Sequence, residues 1–145
     1  MSTMTNAIRS DGIIVDLDGT LAIHQDRSPF DWGLVHTDLP NTPVVSVVRA
    51  MAAAGYSIVY CSGRDSVCRE ATETWINEHV GVDGPLYMRA RGDNRKDAVV
   101  KKELYENHIE PTYRIAFVLD DRDQVVELWR NELGLTCFQV APGSF

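Results

Sequence analysis

The sequence has 145 residues, of which 44% are hydrophobic and 24% are charged. This length and composition are typical of one folded globular domain and exclude a largely disordered chain. No apolar run approaches the roughly 20 residues that a membrane-spanning helix needs, and the polar start lacks the hydrophobic region of a secretory signal. We therefore expect a single domain over residues 1–145, with residues 1–11 as a polar leader.

The charge of the chain is unevenly distributed. Its net charge of −7, from 21 acidic and 14 basic residues, argues against binding of nucleic acid through bulk charge. Residues 89–102, however, hold six bases and two acids, so this segment carries +4 and the remainder −11. A local cationic patch on an acidic body suits a specific anionic ligand better than nonspecific coating of a polyanion.

The predicted elements alternate between strands and helices. Residues 12–16 are a buried strand, and residues 19–41, which have no clean period, are a long loop or small flap. Further strands are predicted at residues 57–61, 85–88, 114–120 and 136–140, and helices at residues 41–55, 66–80, 97–108 and 123–133. This alternation predicts an α/β fold: a Rossmann-like parallel sheet of about five strands with helices on both faces and no large cap. In the second helix, four apolar residues at helical spacing are expected to face the core: Val67, Ala71, Trp75 and Ile76.

The residues that follow the first strand carry the strongest chemical signal. Ligands of such sheets bind beyond the carboxyl ends of the strands, and this strand ends in the string DLDGT at residues 16–20. An Asp carboxylate can attack phosphorus, and a second Asp nearby can protonate the leaving oxygen. The alternative is a tight turn with a solvated acid. The position directly after a buried strand favours the chemical interpretation.

Three further clusters lie at or near the ends of the later strands. The string SGR at residues 62–64 offers a hydroxyl, an unhindered N–H and a guanidinium to a phosphate, or forms a turn with a surface arginine. The adjacent acids at residues 120–121 repel each other and need a cation such as Mg²⁺. The alternative is an acidic cap of the following helix, and both can hold if Asp121 or Asp123 caps the helix while Asp120 binds metal. Either Lys96 or Lys101 can neutralise a transferred phosphoryl group.

The other polar and aromatic residues are weaker candidates. Four histidines are scattered without ligand spacing and are predicted to be non-catalytic: His24, His36, His79 and His108. Trp75 and Trp129 are expected in the core, whereas Trp32, in the loop, can stack on a base. No P-loop string of the form GxxxxGK[ST] occurs. An odd number of cysteines without metal-like spacing predicts reduced thiols and a cytoplasmic protein: Cys61, Cys68 and Cys137.

Taken in order, DLDGT, SGR, a downstream lysine and DD resemble the motifs of the haloacid dehalogenase superfamily of phosphotransferases. Longer strings resemble the phosphatase domain of phage-type polynucleotide kinase-phosphatase over almost the whole chain, from about Ile13 to Phe145: DLDGTLAIHQDRSPFD, GYSIVYCSGRD, RGDNRKDAVVKKE, LDDRDQVVELWR and FQVAPGSF. The resemblance implies a single phosphatase domain with a haloacid dehalogenase-like fold.

The same resemblance implies a role for each matching residue. Asp16 would be the nucleophile, Asp18 the general acid and base, and Lys101, rather than Lys96, the essential lysine. The residues expected to hold Mg²⁺ are Asp16, Asp18 through its backbone carbonyl, Asp120 and Asp121. The residues expected to hold the phosphate or the rest of the substrate are Thr20, Arg27, Ser62, Gly63, Arg64 and Arg89.

The reaction implied by the resemblance is removal of a 3′-phosphate from a DNA or RNA end through an aspartyl-phosphate, in nucleic-acid end repair, with 2′,3′-cyclic phosphate ends as a further substrate. The implied partners are such ends and a separate 5′-kinase or ligase, with no membrane and no particular oligomeric state. One alternative is a phosphatase for small molecules such as nucleoside 3′-monophosphates. Another is a non-catalytic module that binds phosphorylated ends, which the presence of a nucleophile disfavours.

Overall fold

The computed structural model describes residues 8–145. Its strands are β1 (Ser10–Val15), β2 (Ala22–Ile23), β3 (Leu39–Pro40), β4 (Ser57–Asp65), β5 (Leu86–Arg89), β6 (Tyr113–Asp120) and β7 (Cys137–Gln139). Its α-helices are α1 (Thr42–Ala53), α2 (Arg69–His79), α3 (Asp97–Leu104) and α4 (Asp123–Glu127). Five strands form a parallel sheet in the order β5-β4-β1-β6-β7, which confirms the predicted fold.

The helices cover both faces of this sheet because successive side chains of β1 point to opposite sides. Ile13 and Val15 pack with apolar residues of α1 and α2, whereas Ile14 packs with residues around α3 and α4. The chain runs from β1 outward to β4 and β5 and then returns to β6 on the other side of β1. The carboxyl end of β1 therefore lies at the point where the strand order reverses, which is where such sheets bind ligands.

The segment at residues 19–41 is a small ordered flap rather than a structureless loop. Gly19, with φ of 83°, turns the chain, and its N–H donates to the carbonyl oxygen of Ala22 at 2.9 Å. β2 then pairs antiparallel with β3, and a 3₁₀ turn spans Trp32–Thr37. The flap is anchored because Leu21 and Val35 are buried against the core.

Several predicted boundaries differ from the structure. β4 continues to Asp65, whose carboxylate accepts a hydrogen bond from Val67 N and starts a 3₁₀ turn before α2. The expected burial of two residues is wrong: Val67 and Ala71 are exposed. The buried face instead contains Cys68, Thr72, Trp75 and Ile76, which also have helical spacing. The predicted third and fourth helices each end in a π-helical turn, Tyr105–Ile109 and Leu128–Glu132.

The predicted polar leader lies mostly outside the described residues, and β1 begins at Ser10, two residues earlier than expected. Among residues 8–145, no helix has the length and apolar character needed to cross a membrane.

Candidate active site

Three buried carboxylates meet at the carboxyl ends of β1 and β6. Val15 pairs with Leu119 in the sheet, and Asp16 N–H continues the ladder by donating to the Leu119 carbonyl oxygen at 3.0 Å. This register brings Asp16 beside Asp120, and Asp121 follows it. The three side chains each offer an oxygen within 4.8 Å of the others. The predicted acidic residues of the two strands are thus brought together, apart from Asp18.

Lys101 reaches this cluster from α3. Its Nζ donates to Asp16 Oδ1 at 2.7 Å and to Asp120 Oδ2 at 3.0 Å, and the residue is only 1% exposed. Burial acts to lower the pKa of Lys101, but the charges of the two aspartates outweigh it and hold that pKa well above its ordinary value. The side chain is therefore an ammonium group. Lys96, the other candidate, is exposed directly before α3.

The remaining contacts orient the two strand-end aspartates. Thr20 Oγ1 donates to Asp16 Oδ2 at 2.8 Å. Together with the bond from Lys101 to Oδ1, each carboxylate oxygen of Asp16 therefore accepts a hydrogen bond from the protein. Trp129 Nε1 donates to Asp120 Oδ2 at 3.2 Å, and backbone Asp121 N–H donates to Asp120 Oδ1 at 2.8 Å. These hydrogen bonds fix the direction in which each carboxylate presents its free lone pairs. The adjacent acids do not cap α4, which has no side-chain capping hydrogen bond.

The charge of this cluster is unbalanced, since three carboxylates face one ammonium group. Burial, followed by the charge of Asp120, raises the pKa of Asp16 well above its ordinary value, and burial also raises the pKa of Asp121. A divalent cation beside these oxygens would restore the balance and lower both pKa values. The donor set is made only of oxygen atoms, which is the ligand type that Mg²⁺ takes. The cluster therefore fits a hard divalent cation.

The carboxylate of Asp18 lies in a second cluster, under the flap. His24 Nε2 is 2.8 Å from Asp18 Oδ1, and Arg64 Nη2 donates to the same oxygen at 2.7 Å. Arg27 Nη2 adds a longer contact at 3.4 Å. Behind them, buried Asp38 accepts from both guanidinium groups, at 2.8 Å from Arg27 Nε and from Arg64 Nη2. Asp18 is thus the half-buried end of a buried charge network.

This network determines the protonation of Asp18. Burial acts to raise the pKa of Asp18, but the hydrogen bond between Asp18 and His24, the hydrogen bonds from Arg64 and the guanidinium charge outweigh it and hold that pKa well below its usual range. Asp18 is therefore ionised here, whereas a general acid must carry a proton. The two aspartates of the DLDGT string have different environments, because Asp16 lies beside two carboxylates and one ammonium group, whereas Asp18 lies beside two guanidinium groups.

The SGR string forms one wall between these clusters. Ser62 lies one residue beyond the register position opposite Asp16, and its Oγ accepts a hydrogen bond from Arg64 N–H at 3.1 Å. Arg89 Nε donates to the Gly63 carbonyl oxygen at 2.7 Å, and Arg89 Nη2 donates to Asp97 Oδ1 at 2.9 Å. A Cβ added to Gly63 would overlap the Asp97 carboxylate. A side chain at this position would therefore displace the Asp97 carboxylate, which pairs with Arg89.

Residues that the sequence analysis did not select also take part in these clusters. His24, which we predicted to be non-catalytic, contacts Asp18, and its sequence signal is its position six residues after that aspartate. Asp38 and Asp97 each pair with an arginine of the predicted substrate site, and no sequence pattern marks these pairings. Trp129 is buried as predicted. Trp32 lies in an open groove beside Val67 rather than against either cluster of carboxylates.

Gly19→Ala is expected to weaken binding of a divalent cation roughly 10- to 100-fold, as loss of an orienting contact does at other metal sites. The reason is that a Cβ at Gly19 would overlap the Asp121 carboxylate and displace it. The positive φ of Gly19 adds backbone strain of roughly 1–2 kcal/mol. Calorimetric titration with Mg²⁺ measures the first effect and urea unfolding the second.

The matched control is Gly134→Ala. Gly134 also has a positive φ, of 67°, but nothing lies within 4 Å of an added Cβ. This variant should lose stability through strain and keep its affinity for the cation. Equal affinities in the two variants would contradict the displacement of Asp121.

The first strand of the parallel sheet ends in a buried aspartate, which is held between a lysine and a threonine and flanked by two further aspartates. This arrangement defines a phosphatase of the haloacid dehalogenase type. The family model for the polynucleotide kinase PNKP phosphatase domain matches residues 10–145. The chain belongs to this family and is a phosphoric monoester hydrolase.

Similar proteins agree with this assignment. The chain is 34% identical over 131 residues to a protein of Autographa californica nuclear polyhedrosis virus, and the match covers 88% of this chain and 19% of that protein. The viral protein is described as a bifunctional polynucleotide kinase/RNA ligase. A chain in the Pnkp1/Rnl/Hen1 complex is 41% identical with a TM-score of 0.91, over 96% of this chain and 48% of that one. A chain in the Pnkp1/Rnl/Hen1 RNA repair complex is 42% identical with a TM-score of 0.90, over 94% and 44%.

A class C acid phosphatase from Bacillus anthracis with tungstate bound shares the fold, with a TM-score of 0.62 and 16% identity over 97% of this chain and 70% of that one. The chain thus spans less than half the length of the relatives from the Pnkp1 complexes and about a fifth of the viral protein.

Proposed function

We propose that the protein is a Mg²⁺-dependent polynucleotide 3′-phosphatase that works through an aspartyl-phosphate on Asp16. The observation that carries this proposal is the environment of Asp16. Its buried carboxylate accepts hydrogen bonds from Lys101 and Thr20 at the point where the strand order reverses, and it lies beside Asp120 and Asp121. In the first step, an Asp16 oxygen attacks phosphorus while the bond from phosphorus to the 3′ oxygen breaks. Water then attacks the phosphoryl group, which releases phosphate and regenerates Asp16.

The protein residues around Asp16 have separate tasks in this proposal. Lys101 neutralises the nucleophile and the transferred phosphoryl group. Ser62 and the N–H groups beside Gly63 border the phosphate, together with Thr20. The oxygens of Asp16, Asp120 and Asp121 and the Asp18 carbonyl would hold Mg²⁺, which would supply positive charge to the phosphoryl oxygens.

Asp18 protonates the departing 3′ oxygen and later accepts a proton from the attacking water. The network described above keeps Asp18 ionised, so the proton must be acquired as substrate binds. A substrate phosphate competes with Asp18 for the donors of Arg64 and Arg27. Each hydrogen bond that Asp18 loses raises its pKa and favours the protonated acid. Under this proposal, the arginines couple phosphate binding to proton delivery.

Mg²⁺ is expected to raise the melting temperature of the protein, whereas EDTA is expected to lower it. At a Mg²⁺ concentration 100 times the dissociation constant, binding stabilises the native state by about 2.7 kcal/mol. The expected result follows from relief of repulsion among the buried carboxylates. Differential scanning calorimetry with MgCl₂ and with EDTA measures the shift, and Asp121→Asn should reduce it. A shift of the same size in Asp121→Asn would place the ion elsewhere.

Substrate class is tested by release of inorganic phosphate. Four substrates are compared: an oligonucleotide with a 3′-phosphate, the same oligonucleotide with a 5′-phosphate, an RNA with a 2′,3′-cyclic phosphate, and a nucleoside 3′-monophosphate. The proposal expects kcat/KM to be highest for the 3′-phosphorylated oligonucleotide and activity to require Mg²⁺. A higher kcat/KM for the mononucleotide would instead establish a small-molecule phosphatase on the same scaffold.

We further propose that the products, 3′-hydroxyl ends, are passed to a ligase in nucleic-acid repair and that a 5′-kinase activity prepares the opposite end. This proposal is supported by the relatives, since one is described as a polynucleotide kinase/RNA ligase and two are chains in Pnkp1/Rnl/Hen1 complexes. A cytoplasmic location is proposed from the three cysteines, all buried and free in the described part of the chain.

A further inference from the structure

The cationic segment, defined as residues 89–102, contains two kinds of basic residue. Four of its six bases are paired with carboxylates: Arg89 with Asp97, Arg95 with Asp93 and Glu103, Lys101 with Asp16 and Asp120, and Lys102 with Glu132. The other two, Arg91 and Lys96, are exposed and make no ion pair with any residue between 8 and 145. The positive charge of the segment is therefore concentrated on these two side chains.

The backbone that carries Arg91 and Lys96 is held in place by other residues of the segment. Arg89 Nη1 donates to the Asp93 carbonyl oxygen at 3.0 Å, and Gly92 N–H donates to Asp65 Oδ2 at 3.0 Å. Arg95 N–H donates to Asp93 Oδ1 at 3.0 Å. A loop fixed in this way loses little conformational entropy when it binds a ligand.

The two unpaired cations lie at the rim of the candidate active site. Lys96 immediately precedes Asp97, so their Cα atoms are about 3.8 Å apart, and Asp97 lies against Gly63. Arg91 lies two residues after Arg89, which donates to the Gly63 carbonyl oxygen. Both cations thus flank the wall formed by the SGR string, on an otherwise strongly acidic chain.

We propose that Arg91 and Lys96 bind the phosphodiester backbone of the polynucleotide next to its 3′-terminal phosphate. This inference rests on the proposed function and deepens it by placing the polymer along one edge of the site. The net negative charge of the rest of the chain disfavours a polyanion, whereas these two cations attract it beside the candidate active site. The protein can therefore select a polymer end in spite of its net negative charge.

The test compares two double variants with the same change of charge. Arg91→Ala with Lys96→Ala removes the proposed phosphate-binding side chains. Lys102→Ala with Arg114→Ala is the control, because Lys102 pairs with Glu132 and Arg114 lies at the start of β6, at the opposite end of the sheet from Asp120. The kcat/KM for a 3′-phosphorylated single-stranded oligonucleotide and for a nucleoside 3′-monophosphate is measured over a range of KCl concentrations.

The proposal expects the first variant to lose roughly 10- to 30-fold in kcat/KM for the oligonucleotide near 0.1 M salt, with unchanged kcat/KM for the mononucleotide. The slope of log kcat/KM against log salt should fall by about 1.4, because each phosphate of a single strand that the protein no longer neutralises accounts for about 0.7. The control should keep the wild-type slope. An unchanged slope in the first variant, or an equal change in both variants, would overturn the inference. A wild-type protein inactive on the oligonucleotide would instead overturn the proposed function.

Discussion

Asp16→Asn is expected to lower the rate of phosphate release by a factor on the order of 10⁴ or more, as removal of a nucleophile does in other enzymes. The amide of asparagine has almost the shape of the carboxylate but cannot form an acyl-phosphate. Release of phosphate from a 3′-phosphorylated oligonucleotide in Mg²⁺ measures the loss. A variant that keeps more than a few per cent of the wild-type rate would show that Asp16 is not the nucleophile.

The same variant should remain folded, which separates loss of chemistry from loss of structure. Asp16 is buried and its pKa is raised by burial and by Asp120, so a neutral side chain there relieves repulsion. In EDTA, the melting temperature of Asp16→Asn should equal or exceed that of the wild type. Asp83→Asn, at an exposed position outside the site, is the matched control and should change neither the rate nor the melting temperature.

Arg64→Ala is expected to cost about 3–5 kcal/mol of folding stability, the usual effect of removing one partner from a buried ion pair. Arg64 is 1% exposed, and it donates to Asp18, Asp38 and Thr72. Its loss deprives Asp38 of one of its two guanidinium partners. Equilibrium unfolding in urea measures the change, and an unaltered midpoint would contradict this account of the network.

A second variant separates stability from activity at this position. Arg64→Lys keeps the positive charge but cannot reach Asp18, Asp38 and Thr72 at once, because an ammonium group lacks the planar fork of donors. We expect it to fold and to lose roughly 100-fold in kcat, as misplacement of an active-site group by about 1 Å does. Lys102→Ala, which breaks an exposed pair at 3.7 Å, should have a much smaller effect on stability and none on kcat.

The strand-end clusters show what sequence can predict. Parallel strands end at the same edge of a sheet, so the placement of Asp16 near Asp120 follows from two apolar runs that each end in an aspartate. The choice between Lys96 and Lys101 required the resemblance to a family, because both lie near the start of one helix. In the structure, Lys101 Nζ lies 2.7 Å from Asp16 Oδ1, whereas Lys96 is exposed.

The second cluster could not be predicted in the same way. Asp38 lies in a flap that has no periodic pattern, and its pairing with Arg27 and Arg64 depends on how that flap folds over the sheet. No motif in the sequence indicates that the ring of His24 contacts Asp18. The buried face of α2 includes Thr72 rather than Ala71, although both positions have a helical spacing with Trp75 and Ile76. Such contacts are decided by tertiary packing, which local propensity does not describe.

The site is assembled from residues far apart along the chain: 85 positions separate Asp16 from Lys101, and 101 separate Thr20 from Asp121. No short stretch of the polypeptide therefore contains a working centre, and catalysis requires that the central strands and α3 have all docked. Proteins dominated by contacts of such long range fold slowly. Recovery of phosphate release after dilution from denaturant should consequently coincide with the last kinetic phase, so that enzymatic turnover serves as a reporter of the completed native state.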